Sequence, residues 1–281
     1  MSAGAEPVRA TFWLLDAPDS LSRQSHREPD GTGLGWFDER GAPHLSKQPL
    51  AAYEDRRFAR EARELQSRTF VAHVRFASTG ALERNNTHPF EQRGRLFAHN
   101  GVIEDLPSLD AQLGEDRRLV KGDTDSERFF ALMTREIETC GGDVSAGIEA
   151  ACGWIASTLP LYAINFVLVS ADGLWALRYP QTHPLYVLER EPSGPLVHTS
   201  SLGSRVHAPQ ADTTPLVVVA SERMDVDTGW RELRSGELLH VDEQLRVSAR
   251  QILERPPAHP LTLADLSERA KASQAHTPVS S

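Results

Sequence analysis

Two helical stripes stand back to back in the middle of this chain with short β-type runs on either side, and that order restricts the fold more than any single motif does. Thr124-Asp125-Ser126-Glu127 is a capping box, in which the Thr124 hydroxyl accepts from the backbone amide of Glu127 and the glutamate reaches back. Behind it Phe129, Phe130, Met133 and Ile137 recur at helical spacing, and Gly141-Gly142 closes the helix. Val144, Ile148, Cys152, Ile155 and Leu159 form the stripe of a second helix. Upstream, the stretch 53–66 is dense in Ala, Arg, Glu and Leu and predicts an exposed helix, while 69–76 alternates as a mostly buried strand. From Tyr162 onward the runs 162–170, 174–179, 184–188, 216–220 and 237–241 are β-branched or aromatic and separated by turn residues. Helices set between strands, without regular βα alternation, predict an α+β layered domain and not a doubly wound sheet. After about Ala258 the chain turns polar, small and Ser-rich, so residues 1–257 are expected to form one domain and 258–281 a disordered tail.

Composition removes several classes of function. With 30 Lys+Arg against 39 Asp+Glu the net charge is −9, and no basic block interrupts it, which argues against nucleic acid or an anionic membrane surface as the main partner. The longest apolar stretch, Leu159 to Val169, is too short to span a bilayer, and the first twenty residues have no signal-peptide pattern. Two cysteines, Cys140 and Cys152, make no disulfide framework, which leaves a cytoplasmic location as the expectation. Eleven histidines are scattered without metal-ligand spacing, so no metal or other cofactor is expected.

The run Gly31-Thr32-Gly33-Leu34-Gly35 has the wrong spacing for a nucleotide fingerprint and leads into an aromatic strand instead of a helix. Alternating glycines of this kind imply tight backbone packing or close approach to a ligand. The informative residues lie between His73 and Ile103. Arg75 follows a buried strand and can present the two-donor fork a carboxylate needs. Asn100-Gly101 ends another strand, where a side-chain amide and a bare backbone N–H can address one oxygen, as in an oxyanion hole. Asp125, in the first turn of a helix, is available for an ammonium. Each has a structural alternative: an ion pair for Arg75, a hairpin turn for Asn100-Gly101, and a helix-dipole partner for Asp125. Together they describe a pocket for an α-amino acid whose side-chain carbonyl becomes an oxyanion.

The motifs His73-Val74-Arg75-Phe76-Ala77-Ser78, Asn86-Thr87-His88-Pro89-Phe90, Phe97-Ala98-His99-Asn100-Gly101-Val102-Ile103 and Thr124-Asp125-Ser126-Glu127 resemble, in order, those of the class II glutamine amidotransferases, which are N-terminal-nucleophile hydrolases. The stretch from Ser25 to Trp36 is similar to the family's glycine-rich segment, and Val219-Ala220-Ser221-Glu222 and Trp230-Arg231-Glu232-Leu233 to its later strands. Nothing resembles an attached synthetase or sugar-isomerase domain, so the chain looks like the small stand-alone branch. The resemblance implies a four-layer αββα sandwich with two stacked, mostly antiparallel sheets. It implies that Arg75 holds the glutamine α-carboxylate with Ser78 and Thr79 nearby, and that Asp125 takes the α-amino group. Asn100 and Gly101 would form the oxyanion hole, while His88, Asp30 and Gly31 would shape the pocket. The substrate would be glutamine or a γ-glutamyl amide, attacked by an N-terminal cysteine whose own α-amine, with a reference pKa of roughly 7.7 to 8.0, serves as base. A separate synthetase subunit is the partner the resemblance would add.

The chain departs from that pattern at its start, which reads Met1-Ser2-Ala3-Gly4 where the family has Met-Cys and an apolar strand. Three explanations stay open: a start placed too far downstream, a non-catalytic relative that binds a γ-glutamyl compound or regulates a partner, or Ser2 itself as nucleophile.

Overall fold

Alternation with period two sorts the long strands onto two cores. In the computed structural model, which describes residues 1–2, 4, 6–76, 81–192, 197–199, 205–207 and 214–274, the chain opens with a π-helical turn, Phe12–Asp16, and the short helix α1 (Leu21–Gln24). Then come β1 (Gly31–Phe37), β2 (Pro43–Gln48), α2 (Arg56–Glu64), β3 (Phe70–Arg75), β4 (Phe90–Gln92) and β5 (Arg95–Ile103). Helices α3 (Leu106–Leu113), α4 (Asp125–Thr139) and α5 (Val144–Thr158) follow. The second β region runs β6 (Pro160–Val169), β7 (Gly173–Leu177), β8 (Tyr186–Arg190), β9 (Val197–Thr199), β10 (Arg205–His207) and β11 (Leu216–Ala220). It ends with β12 (Arg231–Glu232), β13 (Glu237–Asp242), β14 (Val247–Gln251), β15 (His259–Pro260) and the helix α6 (Glu268–Gln274).

The large sheet has the order β14-β13-β7-β6-β5-β4, antiparallel throughout, with β15 joined in parallel to the start of β6. On one face Phe97, Phe166, Leu168, Trp175 and Leu177 meet Phe129, Phe130, Ile148 and Ile155 of α4 and α5. On the other, Leu96, Ala98, Val169, Leu174 and Ala176 meet Phe37, Val71, Val187 and Val217. Those last residues belong to two smaller sheets, β2-β1-β3 and β11-β8-β12; the outer face of the first is covered by α2 and the N-terminal turn through Leu34, Phe70, Phe58 and Leu14, and that of the second by the same turn through Phe12, Trp13, Leu188 and Val218. The result is helix, sheet, sheet, helix: the expected four-layer α+β arrangement of stacked antiparallel sheets. Each fully buried Phe or Leu in these layers contributes roughly 1.5–3 kcal/mol, so the two cores, not local propensity, hold the layers in register.

The capping box forms with one change. Thr124 Oγ1 accepts from Glu127 N at 3.2 Å, but Glu127 reaches past the helix start and its Oε2 accepts from Gly122 N at 2.6 Å. The tail differs more. Residues 258–274 are placed against the body: β15 pairs with β6, and Leu266 and Ala270 are buried with Val102, Tyr162 and Ala163. Leu266 and Ala270, with Leu261 partly buried beside them, anchor an otherwise polar stretch, which is why its composition alone suggested disorder.

The two small sheets face each other edge to edge. Among the described residues β3 and β11 each have one ladder partner, and they are linked only by the first residues of the chain. Ser2 exchanges both backbone hydrogen bonds with Val217 at 2.8 Å, and Met1 exchanges two with Phe70 at 2.9 Å. Beyond that link lies a slot of about 140 Å³, with Trp13, Leu14, Phe70, Phe166, Leu185 and Met224 in its walls.

Candidate active site

A cleft of about 120 Å³ adjoins the slot, and the two share Ala72, His73, His99, Asn100 and Ser221 in their linings. Arg75, the last residue of β3, is only 4% exposed although it is an arginine. Its backbone carbonyl accepts from Asp30 N at 2.8 Å, its Nη1 donates to Ala81 O at 3.3 Å, and burial, opposed by the carboxylates of Asp30 and Asp125, lowers its pKa. Asp125 enters from α4 and is 2% exposed. Ile103 N donates to its Oδ2 at 2.9 Å and Ser126 Oγ approaches its Oδ1 at 3.4 Å. These contacts aim the carboxylate into the cleft that Arg75 also lines.

Asn100 and Gly101 reach the cleft by two different properties of β5. Leu96 and Ala98 face the small sheets, so by alternation Asn100 faces them too, at the floor of the slot. Gly101 is opposite Ile164, whose amide is taken by Tyr179 O at 2.7 Å, so the pair is not a hydrogen-bonded one and Gly101 turns its N–H to the open edge of β5. A Cβ on Gly101 would stand 1.9 Å from Ala163 O, so only glycine fits there. Asn100 lines both the slot and the cleft, and Gly101 lines the cleft.

His88 lines the cleft and lies 4.3 Å, ring to ring, from His73. Neither of its ring nitrogens has a hydrogen-bond partner among the described residues, and burial beside His73, His99 and Arg75 pushes its pKa well down. His73 is pushed down to about 3 for the same reason. Both rings are neutral at ordinary pH, which leaves Arg75 as the fixed positive charge of the cleft. Asp30 and Gly31 stand behind Arg75 and are not among the residues lining the cleft; Gly31 pairs with Arg75 across the ladder. Ser78 and Thr79 lie outside the described residues. The glycine run proves to be a packing device: a Cβ on Gly33 would meet His88 O at 1.9 Å, so β1 can lie against the loop that carries His88 only without side chains. Lys47, half-buried and pushed down to about 8 by desolvation, pins the same loop through Thr87 O at 2.7 Å and Pro89 O at 3.2 Å.

A protein-family model described as class-II glutamine amidotransferases matches residues 19–260. The chain belongs to the class II glutamine amidotransferase family. Among its relatives, the gamma-glutamyl-hercynylcysteine sulfoxide hydrolase of Mycolicibacterium smegmatis is 26% identical over 81% of this chain and 88% of the relative. A Saccharomyces cerevisiae protein named "Probable glutamine amidotransferase DUG3" is 28% identical over 50% of this chain, and the match spans only 45% of the yeast protein. A glutamine aminotransferase class-II domain protein from Silicibacter pomeroyi shares the fold, with a TM-score of 0.56 and 24% identity over 80% of this chain and 92% of that one. No helix among the described residues of this amidotransferase-family chain is long and apolar enough to cross a membrane.

Some cleft residues had no role in the sequence. His73 and His99 sit inside recognisable motifs, but their place in the cleft depends on how strands pair. Ser273 and Gln274 of α6 form one wall, with Gln274 Oε1 bonded to His183 Nε2 at 2.5 Å. Nothing in the sequence near them signals that position.

Proposed function

We propose that this protein cleaves the amide bond of glutamine or of a larger γ-glutamyl amide, through a γ-glutamyl thioester on a cysteine carried by a strand in the slot between β3 and β11. The observation that carries this reading is the presence of Arg75, Asp125, Asn100 and Gly101 in the lining of one cleft that adjoins an apolar slot between β3 and β11. Arg75 binds the α-carboxylate with Ser78 and Thr79 beside it, and Asp125 binds the α-ammonium, so the γ-amide extends toward Asn100. A thiolate at the slot's end attacks the γ-carbonyl carbon, and the oxyanion takes hydrogen bonds from the Asn100 side chain and the Gly101 amide. The free α-amine of the same cysteine receives the thiol proton and returns it to the departing nitrogen. Water then releases glutamate.

His88 shapes the pocket, and Asp30 and Gly31 hold Arg75 in register. The chemistry needs no cofactor, the working unit is the domain 1–257 together with the packed segment 258–274, and the setting is cytoplasmic. The Mycolicibacterium relative's name, that of a γ-glutamyl hydrolase, supports a leaving group larger than ammonia. A separate synthetase subunit that receives ammonia is the alternative fate of the product.

A second reading, a non-catalytic γ-glutamyl-binding or partner-regulating protein, is favoured by one observation. No cysteine lines the cleft: Cys140 is exposed at the end of α4 and Cys152 is buried in the helix-side core, its thiol pushed up by burial. Ser2 is held in the ladder with Val217 and does not line the cleft either. The deciding experiment extends the chain ahead of Ser2 with Met-Cys-Arg and an apolar strand, then measures ammonia from glutamine and glutamate from γ-glutamyl amides. Release of either supports the enzyme. A folded, glutamate-binding protein with neither activity would establish the second reading.

A further inference from the structure

A third cavity, of about 40 Å³, lies beside the cleft and the slot. Asn100 and Ser221 line all three spaces, so the three meet at the side chain that would hold the oxyanion. Around a γ-carbonyl carbon placed there, the glutamyl chain runs back into the cleft and the attacking atom comes from the slot, while the oxygen takes the Asn100 and Gly101 donors. The nitrogen and whatever it carries need a fourth direction. The third cavity offers one: Arg75 and Asp125 do not line it, whereas Glu28, Ser273 and Gln274 line both it and the cleft. Its far wall is fixed in place. Asn165 Nδ2 donates to His183 O and Pro184 O, both at 3.2 Å, Arg178 Nε donates to His183 O at 2.8 Å, and the His183 ring is bonded to Gln274 of α6.

The charge of this lining is one-sided. Among the described residues it holds two carboxylates, Glu28 and Glu222, and no lysine or arginine, and burial lowers the pKa of His183 so that its ring adds no charge at neutral pH. Glu222 Oε2 is matched by Arg27 Nη2 at 2.7 Å, an arginine that Asp19 shares at 3.3 Å. Glu28 is half-buried, and its carboxylate makes no hydrogen bond or ion pair with a described residue. Such a carboxylate costs the fold stability, and a cation in the cavity would offset that cost. We propose that the third cavity receives the substituent carried on the γ-amide nitrogen, and that Glu28 makes the preferred substituent a short one with a positive charge. The substrate class is then the γ-glutamyl amide of a diamine or a similar cationic amine. A γ-glutamyl peptide, whose leaving group brings a carboxylate, is disfavoured. This rests on the reading of the cleft as the γ-glutamyl site.

The test uses the 281-residue protein, in which no cysteine lines the cleft, so that amides can be measured by calorimetry as ligands. The probes are L-glutamate, L-glutamine and three substituted amides of glutamate: the γ-propylamide, the γ-(2-aminoethyl)amide of nearly the same shape, and γ-glutamylglycine. Measurement is at pH 8, above the value of about 7 to which burial raises Glu28, with Arg27 favouring its ionised form, and Asp19 on the same side and Glu222 across the cavity opposing it. The aminoethylamide should bind about tenfold tighter than the propylamide, the worth of one charge-assisted contact, and γ-glutamylglycine weaker than both. In Glu28→Gln the ratio of the first two Kd values should fall to about twofold or less. Glu222→Gln, which releases Arg27 toward the cavity, should lower it as well. Equal affinities for the two amides in the wild type, or a preference that survives both variants, overturns the proposal alone. So does a protein that binds L-glutamine and none of the substituted amides. A folded wild type that binds none of the five probes overturns the reading of the cleft.

Discussion

At the scale of single residues, the cleft combines a buried cation, Arg75, with a buried carboxylate, Asp125, and the hydrogen-bond donors of Asn100 and Gly101. Arg75 is the group whose removal has the clearest result. A charge-assisted, two-pronged contact is worth roughly 1.5–3 kcal/mol, so Arg75→Ala should weaken L-glutamate binding about 100-fold by calorimetry, with the melting curve as a control for folding. Arg75→Lys should not recover it, because an ammonium cannot span both carboxylate oxygens. Retained affinity in Arg75→Ala would remove it from the carboxylate site. Arg75, Asp125, Asn100, Gly101 and His88 could be picked out in the sequence because each sits in a short motif with its own chemical logic. The bond between His99 and Ser126 could not, since it depends on which ring nitrogen faces α4 across 27 residues of separation.

At the scale of elements, α4 and α5 were legible to within a residue or two, because a side-chain cap and a glycine pair mark ends that the backbone must satisfy. The segment 258–274 was not, because its hold on the body is tertiary. Leu266, in the turn ahead of α6, and Ala270, in the seven residues of α6, are 3% and 4% exposed against Val102, Tyr162 and Ala163. Truncation after Pro257 should therefore destabilise the domain by about 2–4 kcal/mol in urea unfolding, the cost of uncovering a small apolar cluster. Leu266→Ala alone should account for much of it. A truncated chain as stable as the full one would show that the segment is only an appendage.

At the scale of the whole molecule, buried and half-buried groups of opposite type set the dependence of stability on pH. His73, pushed down to about 3, and His88 and His99, also lowered, are neutral in the fold, so their contribution is present above about pH 6.5 and is lost as the pH falls. Glu28 is the reverse: burial raises it to about 7, so its protonated form suits the fold, and stability is lost as the pH rises from about 4.5 to 7. Glu28→Gln should then be more stable than the wild type at pH 8, by about 2 kcal/mol, and indistinguishable from it near pH 4 in urea titrations. Equal stabilities at pH 8 would mean that Glu28 is solvated. An α+β layered domain was legible from the order of periodicities and its four layers from the family resemblance, but the break between the two small sheets was not, since it is a relation between strands some 140 residues apart, β3 and β11. That break has a consequence for the life of the protein. The strand proposed to deliver the nucleophile would also be the seam that turns two half-sheets into one continuous sheet. A molecule without its chemistry would therefore be a molecule that opens more easily to proteases, and the cell could clear defective copies without sensing their activity at all.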